Sequence, residues 1–266
     1  MQSTSNSPFV SVMGLGVLKA EHPANKSSAR FSLGCGIVSL VAVPILLALT
    51  AYLFFDIYSR FGPARIDDKL GEIFWPTGAA ALGLALGAWL IFDYWRNRGL
   101  AAALYEQGLA HNDRKGLKQV RWDQVEAVWQ AITKHYRNGI YTGTTHIYTI
   151  QAQAGERIVL DDKLTKVEEL GSAIQQGVSS ALFPRYANAL NQGQRLTFGP
   201  LVIDRQGIYS GNKSLTWTEI KAIKLDKGNI SIKKEGGWFN WASASVPQIP
   251  NFYVFYELIS RLAKWE

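Results

Sequence analysis

One phrase occurs twice in this chain, and no other feature limits its fold as tightly. The first copy is Gln107-Gly108-Leu109 followed by Trp122, Val125, Ala127 and Val128; the second is Gln206-Gly207-Ile208 followed by Trp217, Ile220, Ala222 and Ile223. The spacing after each tryptophan is W-x-x-[VI]-x-A-[VI], and the gap from glycine to tryptophan is longer by four residues in the first copy. A β-hairpin absorbs four residues as two per arm and leaves every side chain on its original face. Two copies of one β-rich unit therefore account for most of the 266 residues. A repeat on this scale restricts architecture before any local propensity is weighed.

The apolar content, 47% against 18% charged, is concentrated in two runs. Ser32 to Phe55 holds 24 residues without a charge, and roughly 20 suffice to cross a bilayer core. Pro44 near its middle predicts a kink that neighbouring helices can accommodate. A second run starts at Ile73, and Trp75, Tyr94 and Trp95 stand at its ends as interfacial anchors. The spacing predicts transmembrane helices over 32–55 and 73–95 and a hydrophilic loop over 56–72. Within the second helix, Ala79, Gly83 and Gly87 recur every four residues and put small side chains on one face. That face suits close packing against the first helix or, in a homo-oligomer, a second copy.

Residues 1–31 are rich in Ser, Asn and Gly and are expected to form a flexible tail. Its Phe9-to-Leu18 stretch is apolar enough to touch a bilayer interface or a neighbouring domain. Five cations flank the helices on the terminal side (Lys19, Lys26, Arg30, Arg96 and Arg98), against Arg60, Arg65 and Lys69 in the loop. This bias predicts an integral inner-membrane protein with both termini cytoplasmic. The region from Tyr94 onward carries 22 Lys+Arg against 15 Asp+Glu, a basic balance that suits an anionic membrane surface better than nucleic acid when a membrane segment lies next to it. Cys35 is the single cysteine, which excludes a disulfide framework and a CxxC zinc pattern.

After Ala101 the pattern becomes short β-prone runs broken by Gly, Asn and Asp. Strands are expected at Leu104–Glu106, Leu109–Asn112, Lys118–Trp122, Val125–Tyr136, Thr144–Gln153 and Arg157–Leu160. Thr165-Lys166-Val167-Glu168 matches a capping box, and Val167, Leu170, Ile174, Val178 and Leu182 follow on one helical stripe that Pro184 ends or kinks. The second unit repeats the plan, with strands at Gln194–Phe198, Leu201–Asp204, Ile208–Ser210, Leu215–Trp217, Lys221–Leu225, Ile230–Lys234 and Trp238–Val246. A helix from Pro250 and Asn251 to about Lys264 closes it. The fold class is therefore α+β: a transmembrane helical hairpin and two antiparallel units over 100–184 and 194–265, each capped by a C-terminal helix.

The main difference between the units is a long hairpin, Trp129 to Ile150. Lys134, His135, Tyr136, Arg137 and Tyr141 cluster near its Asn138-Gly139 turn. Such an aromatic and cationic projection is a contact surface for a protein partner or a membrane, or a cover for the neighbouring unit. His135 and His146 can face each other across it, but no third ligand stands at metal spacing. Arg114, Lys115 and Lys118 lie in and beside an earlier turn, where each cation near an anionic leaflet is worth about 1 kcal/mol. Asp161-Asp162 and Glu168-Glu169 sit at a strand end and in a helix's first turn. No Ser-His-Asp order, HExxH, P-loop or Rossmann pattern occurs, so no catalytic, cofactor or metal residues are assigned.

Tyr105-x-x-Gly108-Leu109 with Arg121-Trp122-x-x-Val125 resembles bacterial PH-like membrane proteins. The second copy resembles one uncharacterised group of these still more closely, through Phe198-Gly199-Pro200-Leu201, Gly207-Ile208, Leu215-Thr216-Trp217-x-Glu219-Ile220 and Ile249-Pro250-Asn251. The resemblance implies two transmembrane helices and two PH-like repeats, each a bent seven-stranded sheet plugged by a helix. It assigns no chemistry. The expected function is a membrane-tethered, non-catalytic scaffold or sensor for a protein partner or anionic lipid. An accessory subunit of a membrane complex is the alternative, and an enzyme of unrecognised type a distant third.

Overall fold

The computed structural model describes residue 9, residues 12–62 and residues 69–263. The loop charges expected at positions 65, 67 and 68, and a helix end at 264, lie outside the described residues. The chain divides into a helical unit, Ala24–Gly99, and a globular unit formed by Met1–Pro23 together with Leu100–Glu266.

The helical unit holds α1 (Lys26–Phe61) and α2 (Leu70–Asn97), both longer than the apolar runs they contain. Asn25 starts α1 by accepting hydrogen bonds on Oδ1 from the Ser27 and Ser28 amides at 3.1 and 3.5 Å, a normal N-cap arrangement. Pro44 and Pro76 both lie inside helix. The helices cross tightly where α1 offers Gly36 and α2 offers Gly87. A Cβ on Gly87 would stand 2.8 Å from Leu40 and 3.0 Å from the Gly36 carbonyl oxygen. Gly83 faces Ser39 and Val43 of α1, and Ala79 is half-buried. The most apolar 18-residue stretch of α1, mean hydropathy 2.5, has no buried residue. A core helix of a soluble protein would bury one face, so α1 and α2 have the length and composition of helices that cross a membrane.

The globular unit begins with a correction. Residues 18–23, expected in a flexible tail, form strand β1 (Leu18–Pro23), which pairs antiparallel with β2 (Ala101–Tyr105) from Leu18↔Tyr105 to Pro23↔Ala101. Phe9 and Leu15 are buried with Ala103, Tyr105 and Ala110. The first strand of the first copy thus precedes the helical unit, and the helices interrupt the β1–β2 connection.

β3 (Gly108–Asp113) and β4 (Gly116–Arg121) complete the sheet β1-β2-β3-β4. β5 (Val125–Arg137), β6 (Ile140–Ala152) and β7 (Arg157–Asp161) form a three-stranded sheet, and α3 (Val167–Asn191) follows. The second copy repeats this order: β8 (Leu196–Phe198), β9 (Leu201–Ile203), β10 (Gly207–Ser210) and β11 (Lys213–Thr216) form four strands. β12 (Ile220–Asp226), β13 (Asn229–Lys234) and β14 (Asn240–Ser245) form three, and α4 (Phe252–Ser260) closes the copy. The extra four residues enter as two per arm: β3 and β4 have six residues each, β10 and β11 four.

The two tryptophans make the same kind of contact, with acceptors one position apart in the aligned turns. The Trp122 indole donates to Glu106 O and the Trp217 indole to Asp204 O, both at 3.0 Å. Each tryptophan opens a single 3-10 turn. A Cβ on Gly108 would stand 2.3 Å from Val120 O, and one on Gly207 2.1 Å from Leu215 O; only glycine admits the facing strand that closely. The Gly199 turn of the second copy lies against the end of its own last connection, where a Cβ would meet Gln248 O at 2.1 Å.

The two copies share one core, running from Leu104 and Trp122 to Phe255 and Ile259. Asn251, 4% exposed and in the left-handed conformation at φ +52°, joins them. Its amide donates to Val128 O at 2.8 Å, its Oδ1 accepts from Val128 N at 2.9 Å, and its Nδ2 donates to Glu126 O at 2.9 Å.

Both closing helices depart from the expected limits. The α3 N-cap is Lys166 at φ +52°, with no side-chain cap. Thr165 does not form the expected capping box because its hydroxyl and amide both donate to Pro23 O, at the end of a strand drawn from before the helices. Helix α3 continues through Pro184 to Asn191. Ser180, whose carbonyl loses its donor there, is exposed and open to water.

Candidate interaction surfaces

The turn between β3 and β4 carries Arg114, Lys115 and, in β4, Lys118. Asp113 Oδ1 accepts from the Lys115 amide at 2.6 Å and shapes the turn. Lys118 is held inward: its Nζ lies 3.5 Å from Asp113 Oδ2 and donates to Arg157 O at 3.3 Å. Arg114 and Lys115 are exposed. Of the three expected contact cations, two face solvent and one holds β4 to β7.

The β5–β6 hairpin ends in Asn138 at φ +50° and Gly139 at φ +79°, the two positive values of a type I′ turn that matches strand twist. Lys134, His135, Tyr136, Arg137 and Tyr141 are all exposed. Tyr136 and Tyr141 are paired across the strands, rings edge-on with centroids 5.9 Å apart. The two histidines do not face each other. His135 pairs with Gly143 and approaches Thr145 Oγ1 at 2.7 Å, whereas His146 pairs with Ile132 and lies 3.0 Å from Asp162. An odd spacing between His135 and Ile132 sends the rings to opposite faces. Among the described residues no group of three His, Cys, Asp or Glu side chains stands close enough to share a metal ion.

The two cationic groups do not converge. Lys118 touches Arg157, which pairs with Gln151, and Gln151 stands ten residues along β6 from Tyr141, about 33 Å in an extended strand. The paired acids have local duties: Asp161 accepts from the Lys163 amide, Asp162 from the His146 amide, and Glu169 from Lys166.

A surface absent from the sequence expectations lies in the second copy. Strand β14 starts at Asn240, not at Trp238, and leaves Trp238 and Phe239 in the loop after β13 at 96% and 86% exposure. Gly236-Gly237 immediately before them was the available signal, since paired glycines disfavour a strand.

Two clefts accompany these surfaces. One, of about 550 Å³, lies over Trp122 between Lys19, Gln107, Arg121, Asp123, Gln176 and Ser180. Its Arg121 guanidinium is already engaged by Gly14 O, Gln107 Oε1 and Asp123 Oδ1. The other, of about 500 Å³, lies at the seam of the copies beside Arg185, Tyr186 and Arg195. There Arg195 donates to Asp204 at 3.3 Å and stacks over Tyr209 at 4.6 Å. Burial raises the Asp204 pKa, but hydrogen bonds from Tyr209, the Gln206 and Gly207 amides and Arg195 outweigh it and leave the carboxyl below its ordinary value. Burial lifts the Tyr148 phenol to about 12. In the first sheet, His111 is 2% exposed with both ring nitrogens unpartnered, and burial lowers its pKa.

No curated protein matches the chain. A family model does match, over residues 19–265, from within β1 to beyond α4. Strand β1 from Lys19, the helical unit and both copies therefore fall within a single match, and the chain belongs to the family of unknown function DUF6585.

Proposed function

We propose that this chain is a membrane-tethered, non-catalytic binding module that presents two PH-like repeats to a protein partner or an anionic membrane surface. The PH-like assignment is supported by the order within each copy, four strands, three strands and a closing helix, which is the strand count of the resembled fold.

One observation carries the tether. Pro23 and Ala101 are paired neighbours at the end of one sheet. The chain that leaves at Pro23 and returns at Ala101 must begin and end on one side of any bilayer it crosses, which requires an even number of crossings. Two helices of spanning length supply that number. The positive bias of the flanking segments supports the cytoplasm as that side. Confinement at a membrane then raises the effective concentration of the repeats toward anything membrane-bound. Assembly through the Gly83/Gly87 face receives less support, because α1 already occupies it.

The test is alkaline extraction and protease protection of the full chain in isolated inner membranes. The chain should remain in the membrane pellet, with both its N-terminus and residues 101–263 cut only from the cytoplasmic face. Release into the alkaline supernatant would sink the tether, and cleavage of the two ends from opposite faces would sink the two-crossing arrangement.

A further inference from the structure

The loop between β13 and β14 holds the two most exposed aromatic side chains among the described residues, Trp238 and Phe239. Its backbone is tied down. The Glu235 amide donates to Glu219 O at 2.8 Å, the Gly237 amide donates to Lys234 O at 3.0 Å, and Gly236 takes φ +70°. A Cβ on Gly237 would stand 3.2 Å from Lys234 O, closer than a side chain comfortably allows. The two rings are thus presented by a formed turn. Adjacent bare aromatics of this kind mark a contact site on a folded surface.

The charge around the loop identifies the contact. Lys233 pairs with Asn240, next to Phe239, and Lys221 and Lys224 lie on the adjoining strand β12. All three are exposed, and among the described residues no ion pair involves any of them. Lys234 is the exception, held by Glu219 at 2.9 Å. Protein interfaces are depleted of lysine and draw on arginine with aromatics. Tryptophan and phenylalanine beside unpaired lysines are instead the chemistry of the bilayer interface, rings at headgroup depth and ammonium groups among the phosphates.

We propose that the Gly236–Phe239 loop is a bilayer-contact site: Trp238 and Phe239 insert at the headgroup level of an anionic leaflet, and Lys221, Lys224 and Lys233 engage its phosphates. This deepens the lipid branch of the binding-module reading and rests on it for the nearby bilayer. The site belongs to the second copy alone, because the matching β6–β7 connection of the first copy is a tight turn at Gly155.

The experiment uses the full chain in nanodiscs, with Cys35→Ala and Phe239→Cys carrying an environment-sensitive fluorophore, and Asn212→Cys in the β10–β11 turn as the comparison site. Discs contain phosphatidylcholine alone or with phosphatidylserine, with nitroxide-labelled lipid placed in the disc or in added vesicles. The label at 239 should shift to the blue and be quenched by nitroxide lipid in the anionic mixture, while the label at 212 is not. Quenching from the disc marks contact with the bilayer that holds the chain, and quenching from vesicles marks contact with a second one; both uphold the site. Each Lys→Gln change at 221, 224 and 233 should weaken the lipid contact roughly five-fold. A label that stays water-like in every lipid overturns the proposal, as does one shielded without lipid quenching, which would indicate a protein partner. Failure of the tether reads differently: the chain leaves the alkaline membrane pellet whatever residues occupy the loop.

Discussion

The two copies seat a closing helix on their sheets by opposite means. In the first, the rings come from the sheet side and the helix yields. A Cβ at Gly171 of α3 would stand 1.9 Å from the Tyr148 ring, and one at Gly177 would stand 2.7 Å from Trp122. In the second, the rings ride on the helix: α4 has no glycine, and its Phe252 and Phe255 enter the core, with Phe255 5.2 Å from Phe198. What both copies keep is backbone contact, namely the indole-to-carbonyl hydrogen bond and the glycine under the facing strand. Bulk is interchangeable between partners, because packing responds to total volume and shape. A strand approach of this closeness has a single chemical solution.

The strongest challenge to this contrast is Gly171→Ala. The added methyl overlaps the Tyr148 ring, and the displaced phenol should cost about 3–4 kcal/mol despite the better helix propensity of alanine. A full-chain melt in detergent measures it, and an unchanged midpoint would remove the idea of a notch that receives the ring. Next comes the residue before each helix. Asn251→Ala removes the side-chain hydrogen bonds to Val128 N and Glu126 O in a buried joint and should cost about 3 kcal/mol. Lys166 has the same left-handed backbone with no side-chain cap, so Lys166→Gly should stabilise by roughly 1 kcal/mol. Matching signs at the two positions would erase the distinction drawn here.

A smaller effect tests what the copies share. Trp122→Phe and Trp217→Phe each delete one indole hydrogen bond and should each cost about 1–2 kcal/mol. Trp122 should lose more, since it is buried and Trp217 is only partly so. The smallest effect is one of pH. His111, whose counterpart in the second copy is Ser210, sits near Asp113, Lys118 and Asp161, with His22 across Ala102 in the same strand row. Burial lowers its folded pKa below 6.5, so its contribution to stability is complete above that value and declines as pH falls through the folded one. His111→Leu should flatten the acid side of the stability profile. A wild-type profile already flat there would contradict a buried neutral ring.

The doubled phrase made the sheets legible, and the strand limits mostly differ from expectation by one or two residues. Strand β1 was hidden by its distance from β2. Leu18, Ala20 and His22 do alternate with Lys19, Glu21 and Pro23, but six residues next to a disordered-looking composition do not announce a partner that lies beyond two apolar helices. The misread α3 cap follows from the same gap, because Thr165 serves that strand. Of the candidate surfaces, exposure near the Asn138-Gly139 turn could be inferred from turn chemistry. The inward engagement of Lys118 could not, because it depends on Arg157 from a strand that is remote in sequence. Trp238 is an aromatic residue of the type that favours strands in general, but the Gly-Gly before it ends the strand pattern locally.

A helical pair lodged within a strand connection also orders biosynthesis. Strand β1 leaves the ribosome before α1 and α2, and its hydrogen-bonding partner β2 follows them. It must stay unpaired until the whole of 24–99 has been made and, on the proposed two-crossing arrangement, returned to the starting side. On that arrangement the first sheet would act as a checkpoint: its edge would close only on chains whose helices have been delivered as a complete loop, and a chain with one helix misplaced would keep β1 as an open edge.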